Sequence, residues 1–352
     1  MPTPMPSSLV AFQAAFSTEA ACRSHLVALR SGATFRCPGC GGSRAWPVRT
    51  RGHLTCASCR KRVSVLSGTA LARTRLPLAS IFAAVYLVST TPGMNAKTLA
   101  GQLGLAREPT AWPLLAKMRR AMATTLTEPL TGVDEVDEAW FGGPQDAEKR
   151  ARWGKSALMV LVLAEARPGG RCRPVRVNDN TAKTLVDTIA ANVEPGATIR
   201  TDGWRSYMSL PTAGFVHDRQ THQPGWTKTG NRSTPYADEA ISASKRWLVG
   251  TYQKPAREHL PTYLAEFAFR REFRNLGERF DTLLRAMMAA PHRTERAIAF
   301  AADLPAVPGT LPKPKPKKTP KRTRLPAFWS KRKKTYKPVG PKPTVLVAPA
   351  TP

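Results

Sequence analysis

Apolar periodicity predicts a mixed α/β region in the second half of the chain. A continuous apolar run over residues 156–165 predicts a central strand, and the alternating residues 171–177 predict its hairpin partner after the turn at Gly169-Gly170. Residues 181–191 have the spacing of an amphipathic helix, and residues 198–202 form another short strand pattern. Strands followed by a helix, a strand and further helices predict a mixed α/β core.

The first part of the chain has helical spacing instead. Helices are predicted over residues 12–29, 78–88 and 95–103, with a further helix ending near Met122. Two short helices joined by a glycine-containing turn, the second one basic, are typical of a helix-turn-helix. Its candidate DNA contacts are Lys117, Arg119 and Arg120. The alternative is a helical connector that makes no DNA contact.

One short strand pattern, residues 132–143, is unusual because it is acidic. It contains Asp134, Glu135, Asp137 and Glu138, although the chain has only 24 acidic residues against 54 basic ones. Carboxylates are disfavoured in strands, so four of them in one strand indicate a functional role. Binding of a hard divalent cation by oxygen ligands is such a role. A polar strand edge is the alternative. The pattern ends at the turn Gly142-Gly143.

Two further acids are candidates for the same site. Asp202 follows a short strand and precedes a glycine, which places it where α/β sheets bind ligands; a turn-initiating aspartate is the alternative. Residues 236–250 predict a helix that ends at Gly250 and carries Asp238, Glu239 and Lys245. Helical spacing puts Asp238 and Lys245 near the apolar face and Glu239 in solvent. The alternative is an acidic helix start favoured by the helix dipole.

The remaining helices are basic, and the chain ends in a basic low-complexity segment. Residues 258–275 predict a helix with a band of arginines, and a final helix follows over residues 280–288. From about residue 305 the chain is rich in Pro, Lys and Arg, which predicts a disordered tail that binds nucleic acid non-specifically.

The charge indicates an acidic polymer as partner. The formal net charge of the 352 residues is +30, and removing the thirteen basic residues of the stretch 311–342 still leaves +17. Nucleic acid is therefore the first candidate, and an anionic membrane surface is a distant second. No apolar run has the length of a membrane span and the first residues do not resemble a secretory signal. These features favour a cytoplasmic, nucleoid-associated protein.

Four of the six cysteines form two C-x-x-C pairs, Cys37/Cys40 and Cys56/Cys59. Without an export signal, this spacing favours metal over disulfides, and four thiolates so placed can surround one tetrahedral Zn²⁺. His53 could compete as a ligand, but four sulfurs already close the site. The neighbouring Arg60, Lys61 and Arg62 suit contact with DNA phosphates. A ribbon that bridges protein to protein is the alternative.

Taken in order, these motifs resemble the bacterial insertion-sequence transposases that join a zinc ribbon to a DDE catalytic domain, the ISXO2-like group. The resemblance covers residues 12–280. The matching motifs are Cys37-Pro-Gly-Cys40, Cys56-Ala-Ser-Cys59, Val136-Asp-Glu-Ala-Trp-Phe-Gly-Gly143, Thr201-Asp-Gly-Trp204, Lys245-Arg-Trp-Leu-Val-Gly-Thr-Tyr252 and residues 259–270.

The resemblance implies an RNase H-like catalytic core with three metal ligands. By motif match, Asp137 is the first ligand and Asp202 is the second. The third lies seven residues before Lys245, at a position where the family has Glu, Asn or His and this chain has Asp238; Glu239 remains the alternative. The expected cofactors are structural Zn²⁺ and catalytic Mg²⁺ or Mn²⁺, and the expected partners are double-stranded DNA and further copies of the chain.

The expected domains are a helix with a zinc ribbon (1–70), a helix-turn-helix-like segment (71–127), the catalytic domain (128–290) and the tail (305–352). The expected reaction is two-metal phosphoryl transfer that cleaves the ends of an insertion sequence and joins them to target DNA. Two alternatives stay open: a catalytically inactive zinc-ribbon DNA-binding protein and a nuclease that cuts without joining.

Overall fold

The computed structural model describes residues 8–30, 35–48, 52–141, 158–220, 234–252 and 257–293. Three features predicted from the sequence lie outside these ranges: the turn at Gly142-Gly143, the start of the apolar run at residues 156–157, and the basic tail from residue 305.

Two helices, α1 (Leu9–Phe16) and α2 (Glu19–Leu29), replace the single helix that the apolar spacing predicts for residues 12–29. Thr18 separates them, because its backbone is extended and its hydroxyl accepts a hydrogen bond from the Ala21 N–H at 3.2 Å. A threonine in this conformation begins a new helix and does not continue the old one. The prediction of one continuous helix is therefore wrong at this residue.

Three short antiparallel strands form the cysteine-bearing ribbon, in the order β1 (Ala45–Pro47), β2 (His53–Cys56) and β3 (Arg62–Ser64). The buried apolar core of the ribbon is small. It consists of Phe35, Cys37, Leu54, Cys56 and Val63.

Three helices follow, α3 (Leu78–Thr90), α4 (Ala96–Gln102) and α5 (Glu108–Ala123), and they confirm the helices predicted for this segment. Asn95 begins α4 by accepting a hydrogen bond from the Thr98 N–H at 2.9 Å. Gly104 has φ 63° in the turn before α5, a left-handed conformation that favours glycine.

A five-stranded mixed sheet forms the second half of the described chain. Its strands are β4 (Val133–Phe141), β5 (Leu158–Glu165), β6 (Cys172–Val177), β7 (Thr198–Thr201) and β8 (Val216–Arg219), in the order β6-β5-β4-β7-β8. β4, β5 and β6 pair antiparallel, whereas β7 and β8 continue parallel to β4. Helix α6 (Ala182–Ala190) connects the two parts. This arrangement confirms the expected RNase H-like mixed sheet and adds β8, which the sequence patterns do not predict.

Helices α7 (Pro235–Tyr252) and α8 (Leu260–Glu272) pack on the face of the sheet that presents Ala139 and Phe141. Helix α7 continues two residues beyond Gly250, where the sequence predicts its end. Helix α9 (Leu276–Ala289) instead packs against α3 and α5, and its Phe280 lies in the core of the N-terminal helices. The last helix of the expected catalytic domain therefore contributes to the helical core.

Candidate active site

The four acids of β4 point to opposite faces of the sheet, because side chains alternate along a strand. Glu135 and Asp137 share a face with Ala139, against which α7 packs, whereas Asp134 and Glu138 share the face of Val136. Each acid consequently meets a different environment. The acidic motif, which looks like one cluster in the sequence, divides into two pairs on opposite faces of the sheet.

Asp202 directly follows β7, the parallel neighbour of the strand that carries Asp137. β4 and β7 pair in parallel with Glu135 opposite Arg200, so the residues two positions further along each strand direction are Asp137 and Asp202. Asp202 begins the turn after β7, where its Oδ1 accepts a hydrogen bond from the Trp204 N–H at 2.9 Å. This hydrogen bond holds the carboxyl group at the carboxyl end of the strand.

Asp238 completes the group from the first turn of α7. The pKa of Asp137 is raised from 3.8 to about 7, first by burial and then by the negative charges of Glu138, Asp202 and Asp238. Asp137 is therefore near enough to both Asp202 and Asp238 to be repelled by their charges. Repulsion among desolvated carboxylates favours a bound cation, which lowers that electrostatic cost.

Glu239, the alternative third ligand, points elsewhere. Its carboxylate forms an ion pair with Arg271 of α8 at 2.6 Å, and half of its side chain is exposed. The geometry therefore favours Asp238 over Glu239 as the third carboxylate.

Lys245 lies two helical turns beyond Asp238 on α7. Its Nζ is 5.4 Å from the centroid of the Phe141 ring, and Phe141 follows Asp137 by four residues on the same face of β4. A positive charge thus lies beside the strand that carries Asp137.

Glu138 faces Tyr207, a contact that the sequence patterns did not reveal. Burial raises the pKa of Glu138, and the charge of Asp202 raises it further, while the Tyr207 hydroxyl has the opposite effect. Neither Glu138 Oε1 nor the Tyr207 hydroxyl has a hydrogen bond of ordinary geometry within the described residues. Tyr207 follows Asp202 by five residues, in the 3-10 turn Arg205–Tyr207. This short separation was the signal in the sequence that could have placed Tyr207 near the site.

Asp134 is fully buried, and neither of its oxygens has a hydrogen-bond partner in the described parts of the chain. Burial, reinforced by the charge of Glu165, raises its pKa to about 7. Asp134 lies on the face of β4 opposite Asp137, so it is not one of the carboxylates of the candidate site.

The four cysteines of the ribbon form a closed group. The sulfurs of Cys37, Cys40, Cys56 and Cys59 all lie within 4.8 Å of one another. The Cys37–Cys59 and Cys40–Cys56 sulfur distances are both 3.6 Å. A tetrahedral zinc with Zn–S bonds of about 2.3 Å requires sulfurs roughly 3.8 Å apart, so the group fits Zn²⁺.

A metal binds the thiolate form of cysteine, and the thiols of the ribbon differ in how readily they form it. For Cys40, the Gly42 N–H has a lowering effect on the pKa. Contacts with the sulfurs of Cys59 and Cys56 outweigh this effect and raise the pKa of Cys40 to about 12. The backbone N–H of Cys59 donates to the Cys56 sulfur, and this is the main reason why the pKa of Cys56 falls to about 6. His53 lies on β2, and the closed group of ligand atoms in the described residues consists of the cysteines alone.

The candidate DNA contacts divide into exposed and buried residues. Arg60, Lys61 and Arg62 are exposed on the ribbon, where the Arg60 guanidinium lies 5.7 Å from the centroid of the Trp46 ring. Lys117 is half-buried on α5.

Arg119 and Arg120 of α5 are only 5% and 8% exposed. Arg119 forms an ion pair with Glu266 at 2.9 Å. Their burial corrects the expectation that these two arginines contact DNA.

In the described residues, no helix is long and apolar enough to cross a membrane. The chain matches the family model of the ISXO2-like transposase domain over residues 129–272, which span β4 to α8. It also matches the family model of the transposase zinc-ribbon domain over residues 17–62, which span α2 and the ribbon. No curated protein matches the chain.

Proposed function

Because the chain belongs to the insertion-sequence transposases that carry a zinc ribbon and an ISXO2-like transposase domain, we propose that it binds the terminal inverted repeats of its insertion sequence and catalyses metal-dependent cleavage and strand transfer. The observation that carries the catalytic part is the convergence of Asp137, Asp202 and Asp238 from β4, the end of β7 and the start of α7.

These three residues fit hard divalent cations such as Mg²⁺ or Mn²⁺, because every donor is a carboxylate oxygen. They do not converge as tightly as the cysteines, whose sulfurs are all within 4.8 Å of one another. In two-metal sites of this kind the cations lie about 3.5–4 Å apart. Asp137, charge-coupled to both other aspartates, would hold both cations, and Asp202 and Asp238 would hold one each. Bound there, the cations would stabilise the attacking and leaving oxygens of a phosphodiester.

The reaction proceeds in two displacements. Water attacks the phosphodiester at the end of the insertion sequence, and cleavage leaves a 3′-hydroxyl on the mobile DNA. That hydroxyl then attacks a phosphodiester of the target, forms the new bond and displaces a target 3′-oxygen. Lys245, beside the end of β4, contributes a positive charge for a nearby DNA phosphate.

In this proposal, the exposed basic side chains of the ribbon and the side chain of Lys117 contact DNA. Arg60, Lys61 and Arg62 share one end of the ribbon with Trp46, so phosphate contacts and an aromatic surface lie together. Binding through such cations weakens as salt rises, because it releases counterions from the DNA. A transposase acts on two DNA ends, and self-association of the chain would bring them together.

The test compares two neighbouring substitutions on one helix in a strand-transfer assay with the insertion sequence's own ends. Asp238→Ala should lower cleavage and joining by roughly 100- to 1,000-fold, as expected when an electrostatic contact to the transition state is lost. Glu239→Ala removes only a half-exposed ion pair with Arg271 and should stay within about threefold of the native rate.

Inactivity of Glu239→Ala with an active Asp238→Ala would assign the third ligand to Glu239. Native protein that binds the ends but cleaves them with neither Mg²⁺ nor Mn²⁺ would support a DNA-binding protein without catalysis. Cleavage without joining would support a nuclease.

A further inference from the structure

Glu135 is a buried acid of β4 that the proposed chemistry does not use. Its side chain is fully buried, and it lies on the same face of the strand as Asp137, two residues before it. A buried carboxylate is costly unless it is paired and hydrogen-bonded. Its partners therefore indicate why it is present.

One oxygen of Glu135 holds the start of α7. Oε2 accepts hydrogen bonds from the backbone N–H groups of Tyr236 at 2.6 Å and Ala237 at 3.1 Å. These N–H groups belong to the first turn of the helix, where they have no partner within the helix and carry its positive end. Asp238 is the next residue after Ala237, so this contact fixes the turn that presents it.

The other oxygen of Glu135 faces β7. Oε1 is 3.3 Å from Nη1 of Arg200, and Arg200 Nε donates to Asp218 of β8 at 2.8 Å. Arg200 precedes Asp202 by two residues. The Glu135 carboxylate therefore links the strand of Asp137, the strand that ends before Asp202 and the helix turn that presents Asp238.

We propose that Glu135 is a positioning residue that sets the relative placement of Asp137, Asp202 and Asp238, with Arg200 and Asp218 as its support. The inference rests on the proposed function, because it assigns Glu135 to the same site. Each link from Glu135 reaches within one or two residues of a metal-ligand candidate. A small displacement of α7 against β4 therefore changes the spacing of the carboxylates without removing any of them.

The test is Mn²⁺ binding by the full-length, zinc-loaded protein in the absence of DNA, followed by electron paramagnetic resonance. The relevant Mn²⁺ sites are those that disappear in Asp137→Ala. Glu135→Gln should lower the affinity of these sites by about tenfold or more, the usual cost of losing a residue that orients metal ligands. Strand transfer by this variant should recover part of its rate as Mn²⁺ is raised, and its zinc content should stay native.

A second variant, Arg200→Gln, breaks the link to β7 and leaves the helix contacts intact. The Arg200 side chain is about one-third exposed. Arg200→Gln should therefore disturb folding less than Glu135→Gln does. It should show a smaller loss of Mn²⁺ affinity than Glu135→Gln.

Glu165→Gln is the matched control for a purely structural effect. Glu165 is also buried and paired with arginine, to Arg171 at 2.7 Å, but its hydrogen-bond partners among the described residues, Arg167 and Arg171, lie in the β5–β6 hairpin. It should lose stability as Glu135→Gln does and keep native Mn²⁺ affinity. Equal Mn²⁺ affinity in native protein and Glu135→Gln, or an equal loss in Glu165→Gln, overturns the inference and leaves the proposed function standing. Native protein that binds no Mn²⁺ at Asp137 overturns both.

Discussion

Replacement of Glu266 by alanine is expected to lower the free energy of unfolding by about 3–5 kcal/mol, the usual cost of breaking a buried ion pair from one side. Glu266 of α8 is 1% exposed. Its Oε2 accepts from Arg119 Nε at 2.9 Å and from the Tyr252 hydroxyl at 2.7 Å. Its Oε1 accepts from Arg270 Nη2 at 2.7 Å. Removing the carboxylate leaves the buried guanidinium groups of Arg119 and Arg270 without a negative charge to pair with.

The structural consequence extends beyond one helix. Arg119 comes from α5 in the N-terminal helices, and its Nη2 also donates to the Met94 carbonyl at 2.9 Å. Glu266 lies on α8, which packs on the sheet. The ion pair thus joins the helical part of the chain to the part that carries the candidate active site.

Chemical denaturation of native protein and variant, at matched zinc loading, measures the loss. Asp281→Ala is the control, because Asp281 and Arg285 form an exposed pair one turn apart on α9. Such pairs contribute about 0.3–0.5 kcal/mol. A Glu266→Ala variant that costs no more than this control would contradict the burial of the network.

The ribbon is expected to unfold when one of its cysteines is removed. Cys56→Ser should abolish zinc retention and the ordered ribbon, because five buried residues around three strands of three or four residues are too small a core to fold without metal. The binding of zinc supplies about 10–16 kcal/mol in comparable peptides at neutral pH. DNA-end binding should fall with it, since Arg60, Lys61 and Arg62 lose their common scaffold.

Zinc content by atomic absorption and the ribbon's amide spectrum by nuclear magnetic resonance measure this effect. The control is His53→Ala, on β2 beside the cluster, which should keep one zinc and native DNA binding. A zinc-free but folded Cys56→Ser ribbon would contradict the structural role of the metal. Loss of zinc in His53→Ala would mean that His53 takes part in binding it.

Local signals in the sequence predicted the parts of the fold that depend on near neighbours. The paired C-x-x-C motifs predicted the ribbon cluster, and the Gly169-Gly170 turn predicted the β5–β6 hairpin. The acidic strand and Asp202 at the end of another strand supplied candidate carboxylates, and their joint role as metal ligands stays a prediction. Each of these predictions depends only on residue types and on their separation over a few positions in the sequence.

Contacts between distant residues could not be predicted in the same way. Arg119 looks like an exposed cation on a basic helix, but its partner Glu266 is 147 residues away. Glu135 gains its role from the backbone of Tyr236, 101 residues later. β8 is a four-residue edge strand with two charged residues, so its pattern resembles a loop.

The most direct test of the central claim is strand transfer by native protein and Asp137→Ala, with end binding measured on the same samples. Asp137 is the candidate whose charge couples to both other aspartates. We expect native protein to cleave the ends and join them to target DNA with Mg²⁺ or Mn²⁺. Asp137→Ala should bind the ends as tightly as native protein and be at least about 1,000-fold slower in joining them. Strand transfer by Asp137→Ala at the native rate would contradict the three-carboxylate site.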